Sequence, residues 1–164
     1  MTLINQKLTL EQERKVKNDL RLIASLNRIG RKNGLRIIIS GGYAVDGFLG
    51  EITRYHNDID IQIYGKKENA EEVVGRLLDS IAPASRWEYT TEDKGRREYY
   101  YNFVYKFRDY TLDIYYLLTK TSPLGKDKFI IKSDGYVDEQ EFREPIFGKI
   151  GKTTFEIQNP DLEL

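Results

Sequence analysis

The stretch from Leu35 to Tyr64 constrains this chain more than any other. It reads LRIIIS, GGYAVDGFLG, EITRYHN and DIDIQIY. Leu35 to Ser40 is an isoleucine-rich apolar run of strand length. Gly41 and Gly42 follow at once and predict a sharp turn where backbone can approach a ligand closely. Tyr43 to Leu49 then reads as a short helix. Its N-terminal end presents amides and partial positive charge to whatever lies over the glycines, which makes it an anion site.

A second strand carries Asp58 and Asp60. Strand side chains alternate faces, so these two carboxylates leave one face with Cα atoms about 7 Å apart. Ile59, Ile61 and Ile63 leave the other, toward a core. Two like charges so placed repel. A divalent cation removes the conflict, and hard oxygen ligands suit magnesium, which takes one or two carboxylates plus substrate phosphates. An isolated Asp-x-Asp is most simply the wet face of an amphipathic strand. The glycines and helix ahead of it here favour the anion-and-cation reading.

Together, Gly41-Gly42, Tyr43, Ala44-Val45-Asp46, Leu49-Gly50, Thr53-Arg54, His56 and Asp58-Ile59-Asp60-Ile61 resemble the signature of small antibiotic nucleotidyltransferases. The nearest types are lincosamide nucleotidyltransferases and aminoglycoside 2''-adenylyltransferases, within the polymerase-beta-like superfamily. The resemblance implies an α/β (α+β) fold, with helices packed on a mixed sheet. It implies a Mg2+-dependent enzyme that holds one or two ions and uses ATP or another nucleoside triphosphate. A nucleoside monophosphate would pass to a hydroxyl of a small acceptor such as an aminoglycoside or lincosamide. Ser40, Gly41, Gly42 and Arg54 are then the nucleotide-binding candidates.

Asp113 is the third acid implied. It is the only acid in the apolar strand YTLDIYYLL, and a lone ionised acid there needs a partner or a metal. The resemblance gives it a place in the metal site with Asp58 and Asp60, or the role of general base. Two departures stand out. Tyr115 occupies the place where lincosamide enzymes tend to carry His, and Tyr43 the place where the wider superfamily often has a phosphate-contacting serine. Ser40 is the alternative source of that hydroxyl.

Arg54 reads either as a triphosphate contact, its planar fork matching phosphate oxygens, or as a partner of Asp46 or Glu51. His56 is the sole histidine, a poor basis for zinc, and reads as a structural group. Asp46 reads as a bond to the Thr53–Arg54 loop. Tyr99, Tyr100, Tyr101 and Tyr105 read as sheet packing for alternate members, with the outward face the alternative, a slot for a base, sugar or drug ring. Asp109, Glu92, Asp93 and Glu98 are candidate acids for a cationic acceptor.

The remaining elements follow from periodicity. Thr9 and Gln12 fit a capping box. Val16, Leu20, Ile23, Leu26 and Ile29 continue a helix ended by Gly30 or Gly34. Glu68 to Ile81 is a second long helix, stopped before Pro83. Strands are predicted over Trp87–Thr91, Tyr99–Phe107, Tyr110–Leu118 and Phe129–Ile131. A closing hairpin spans Phe147–Ile150 and Thr153–Ile157. The 164 residues suit one domain, with 1–82 as nucleotide and metal core and 83–164 as a β-rich acceptor-side extension.

The 26 basic and 26 acidic residues balance, which argues against a nucleic-acid partner. No run is long enough to span a bilayer. The absence of cysteine and of a secretory signal fits the cytoplasm. A homodimer is expected by resemblance alone. Rival readings are a toxin-type nucleotidyltransferase acting on RNA or protein, and a non-catalytic nucleotide-binding regulator. A dinucleotide-binding fold is excluded by the missing spaced glycines.

Overall fold

The computed structural model describes residues 7–65, 69–83, 86–90, 100–121, 127–133, 136–141 and 145–158. Helix α1 spans Leu10–Lys32 and opens with the expected box. Gln12 N–H donates to Thr9 Oγ1 at 3.2 Å, and Thr9 N–H donates to Gln12 Oε1 at 2.9 Å. It ends at Asn33, with Gly34 beyond it in the left-handed region at φ +66°. Gly30 lies inside the helix, buried, and does not stop it. Strand β1 (Ile37–Ile39) is shorter than the apolar run that announces it. Then come α2 (Gly41–Leu49), β2 (Ile59–Gly65) and α3 (Ala70–Ile81).

The second half is β-rich: β3 (Glu88–Thr90), β4 (Tyr100–Phe107), β5 (Tyr110–Thr121), β6 (Asp127–Ser133), β7 (Tyr136–Glu141), β8 (Ile146–Ile150) and β9 (Thr153–Ile157). The β4–β5 and β8–β9 hairpins follow the sequence reading. The sixth strand is longer than predicted, and β7 was not predicted.

The main sheet runs β3-β4-β5-β2-β1-β9-β8. It is mixed, because β2 pairs parallel with β5 and β1 parallel with β9, while the other pairs are antiparallel. Alternation divides its two faces. Ile59, Ile61, Ile63, Leu112, Ile114 and Tyr116 are buried in one core with Leu22, Ile23 and Leu26 of α1 and Val73, Val74 and Leu77 of α3. Each such aliphatic side chain contributes about 2 kcal/mol by leaving water. The intervening residues Asp60, Gln62 and Tyr64 of β2, and Asp113 and Tyr115 of β5, therefore share the opposite face. Tyr101 and Tyr105 pack against the core, as alternate members of a sheet strand should.

Candidate functional site

Strand β1 stops at Ile39, and Ser40 is the N-cap of α2 in extended conformation. The expected glycine turn ahead of a helix starting at Tyr43 is corrected here: Gly41 and Gly42 are the first two residues of the helix. The reversal is confined to Gly41, whose φ of +60° lies in the left-handed region that favours glycine. The positive helix end is thus made by the glycines. A Cβ on Gly41 would lie 2.8 Å from Asp60 Cγ and 3.2 Å from Asp60 Cβ, with Oδ2 nearer still. The Asp60 carboxylate is packed against the start of α2, where negative charge is favourable. Ser40 N–H donates to the Asp60 carbonyl at 3.0 Å. The Ser40 hydroxyl is buried beside them, and no partner among the described residues reaches it.

Asp113 stands directly alongside Asp60. The two are register partners on the parallel pair β2–β5. Their backbones are therefore about 4.8 Å apart and both carboxylates leave the same face. Asp113 Oδ1 accepts from Asn102 Nδ2 at 2.5 Å, and Oδ2 accepts from the Tyr115 hydroxyl at 3.3 Å. Asp58 is the residue just before β2, half-buried, rather than a strand residue as the sequence implies. Among the described residues no three His, Cys, Asp or Glu side chains gather closely enough to hold a metal alone. An all-oxygen carboxylate pair open to phosphates and water is nevertheless what magnesium takes, so Asp60 and Asp113, with Asp58 at the edge, fit such an ion.

Asp46 fixes the loop between α2 and β2. It is fully buried. Its Oδ1 accepts from the Thr53 hydroxyl at 2.5 Å and the Thr53 amide at 3.1 Å, while Oδ2 meets His56 Nε2 at 2.6 Å. Burial alone would raise the Asp46 carboxyl. The bonds from His56 and Thr53 outweigh it and hold the group below the usual carboxylate range. The sequence expectation that Asp46 binds this loop is met through Thr53 and His56, not Arg54. Arg54 is exposed, its Nη1 donates to the Tyr55 carbonyl at 3.4 Å, and its Nη2 lies 3.2 Å from where a Gly42 Cβ would be. The guanidinium therefore sits over the helix start.

Tyr43 points away from the site. Its ring packs on His56 with centroids 4.6 Å apart, and its hydroxyl donates to the buried Asp19 at 2.7 Å. Burial, then the adjacent Asp19 charge, pushes the Tyr43 hydroxyl well above its ordinary pKa. Burial also raises Asp19, although Lys15 bonds it at 2.6 Å. Helix α1 is thereby joined to α2 beneath the site.

Residues 22–98 match the aminoglycoside-2''-adenylyltransferase family. That match spans less than half of the chain, and the fold is that of polymerase-beta-like nucleotidyltransferases. Among solved structures, this chain is similar to ANT(2'')-Ia in complex with adenylyl-2''-tobramycin. Identity is 19%, the TM-score is 0.54, and 87% of this chain covers 70% of that one. A solution structure of ANT(2'')-Ia aligns with a TM-score of 0.53 at 19% identity, over 86% of this chain and 65% of that one. The lincomycin-bound lincosamide antibiotic adenylyltransferase LnuA aligns with a TM-score of 0.54 at 16% identity, over 92% of this chain and 82% of that one. These likenesses speak for the fold. No curated protein sequence matches the chain.

Ser40, Gly41, Gly42 and Arg54 meet at the start of α2, where Asp60 packs, and Asp113 neighbours Asp60 on β5. Asp109 lies at the exposed β4–β5 turn. Glu92, Asp93, Glu98 and Tyr99 lie outside the described residues. Sequence reasoning missed Asn102 and Gln62. Gln62 Nε2 donates to Gln158 Oε1, and the Tyr64 hydroxyl donates to Gln62 Oε1 at 3.1 Å. The available signal was an amide set in an aromatic strand, YYNFVY.

Proposed function

We propose that this chain transfers a nucleoside monophosphate, AMP from ATP, to a hydroxyl of a small acceptor such as an aminoglycoside or lincosamide. The observation that carries the reading is the in-register pair Asp60–Asp113 set against the glycine start of α2. Asp58, Asp60 and Asp113 would hold Mg2+, which on binding neutralises triphosphate charge and polarises the α-phosphate. The start of α2 receives phosphate oxygens from the glycine side. Ser40 supplies the hydroxyl contact, since Tyr43 is turned into the core, and Arg54 adds a fork from above. The acceptor oxygen attacks the α-phosphorus, the bond from that phosphorus to the oxygen bridging to the β-phosphate breaks, and pyrophosphate leaves. The hydroxyl proton passes to a carboxylate of the site or to water. In-line positioning and charge neutralisation supply most of the rate.

The likeness to antibiotic-modifying enzymes supports the acceptor class. Residues 1–82 would form the nucleotide side and 83–164 the acceptor side of one domain, working as a homodimer. Among the described residues no helix is long and apolar enough to cross a membrane. The cysteine-free composition supports a cytoplasmic site of action. The test is a pyrophosphate-release screen of ATP, GTP, CTP and UTP against a panel of aminoglycosides and lincosamides. Turnover with ATP and one antibiotic class is expected. No release with any pair, from protein that still binds ATP, would overturn the acceptor assignment.

A further inference from the structure

Asn102 has no assigned role, yet its placement is unusual. It is the only neutral amide in the aromatic strand β4 and is 7% exposed. It faces Tyr115 in register and lies diagonally from Asp113. We propose that Asn102 is a positioning residue that holds Asp113 in place for the cation and nucleotide. The proposal rests on the reading of the site given above.

Three observations carry it. The first is direction. Strand order places β4 on the far side of β5 from β2. The amide thus draws the Asp113 carboxylate away from Asp60, against the tendency of a neighbouring ligand to collapse onto one of them. The second is the sense of the bond. An ionised carboxylate only accepts, so Nδ2 must face Asp113 Oδ1, at 2.5 Å, and the Asn102 carbonyl must face elsewhere. The third is what that leaves. Asn102 Oδ1 is buried, and no donor among the described residues reaches it. A buried amide with half its bonding unused is poor packing for a strand that could carry an aliphatic residue. It is explicable when the used half orients a reacting group. Tyr115 reaches the other oxygen at a longer 3.3 Å and is the weaker tether.

Substitution of outer residues that orient a metal ligand typically weakens metal affinity by about 10- to 100-fold. The test uses calorimetry on wild-type protein, Asn102→Leu and Asn102→Ser, with α,β-methylene-ATP as probe, in Mn2+ and in EDTA. Leucine keeps volume without the bond, and serine keeps polarity but is too short to reach. Both are expected to bind the Mn2+–nucleotide at least 10-fold more weakly, with metal-free nucleotide binding unchanged. Wild-type affinity in both variants, or an equal loss with and without metal, overturns the proposal. A second measurement stands apart from function. The Asn102 side-chain amide resonances should shift on Asp113→Ala in the otherwise unaltered protein, and an unchanged resonance overturns the proposal even where neither Asn102 variant folds. A wild-type protein that binds no metal–nucleotide, while the amide still responds to Asp113→Ala, overturns the nucleotidyltransferase site and the proposed role with it, leaving only a structural bond.

Discussion

Replacing Gly41 by alanine should damage the site more than the fold. Two costs arise from the structure. At φ +60° an L-residue with a Cβ is disfavoured by about 1–2 kcal/mol. The new methyl would also fall 2.8 Å from Asp60 Cγ and closer to Oδ2, so the carboxylate must rotate away. That forfeits its favourable place at the helix start, worth about 0.5 kcal/mol. The total is about 2 kcal/mol, measurable by urea denaturation and tolerable to a folded domain. Turnover should suffer more, because displacing a reacting group by about 1 Å can cost on the order of 100-fold. Gly75→Ala is the internal control. That glycine lies in α3 with nothing within 4 Å of its would-be Cβ, so alanine should stabilise by about 0.5–1 kcal/mol and leave turnover alone. Gly41→Ala protein with wild-type stability and wild-type pyrophosphate release would refute the packing of Asp60 against the start of α2.

Two further outcomes follow from the buried acids. Asp46→Asn keeps an acceptor for Thr53 but sets an amide against His56 in place of the carboxylate, and should lose about 1–3 kcal/mol at neutral pH. Because the Asp46 carboxyl is held below its unfolded value, its stabilisation is present above about pH 4 and is lost as pH falls through the folded value. Denaturation between pH 3 and pH 7 should therefore show a flatter acid limb in the variant. Tyr43→Phe removes a donor from Asp19 and should cost about 1–2 kcal/mol. Asp19 is shifted the other way, so its contribution weakens as pH rises from its unfolded value through its raised folded one. That decline should be larger in Tyr43→Phe, read by urea denaturation across a pH series that starts below the unfolded value, about 4, and runs to neutral.

Local patterns made the helices legible. The Thr9 and Gln12 pair marks one start, and the Val73, Val74, Leu77 and Leu78 stripe marks a buried face, because both signals lie within a few turns of chain. The alternation of Ile59, Ile61 and Ile63 with Asp60 likewise fixed which face the acid takes. What the sequence could not display was the parallel pairing of β2 with β5, which sets Asp113 beside Asp60 across a long loop of chain. No local periodicity encodes such a register. The resemblance supplied Asp113, and the sheet supplied its neighbour.

Other misses have separate causes. Tyr136–Glu141 is rich in acids and lacks the apolar alternation by which a strand is recognised. Gly41 and Gly42 read as a turn because glycine is a poor helix former, yet a helix start tolerates a left-handed residue that its interior would not. Tyr43 and Asn102 owe their roles to partners on other elements, Asp19 and Asp113.

The most direct measurement is calorimetric titration of α,β-methylene-ATP into wild-type, Asp60→Asn and Asp113→Asn protein, with Mg2+ and with EDTA. Wild-type binding should require Mg2+, and either substitution should weaken it by about 10-fold or more. Binding of equal strength in EDTA, undiminished by Asp60→Asn, would contradict the paired-acid site.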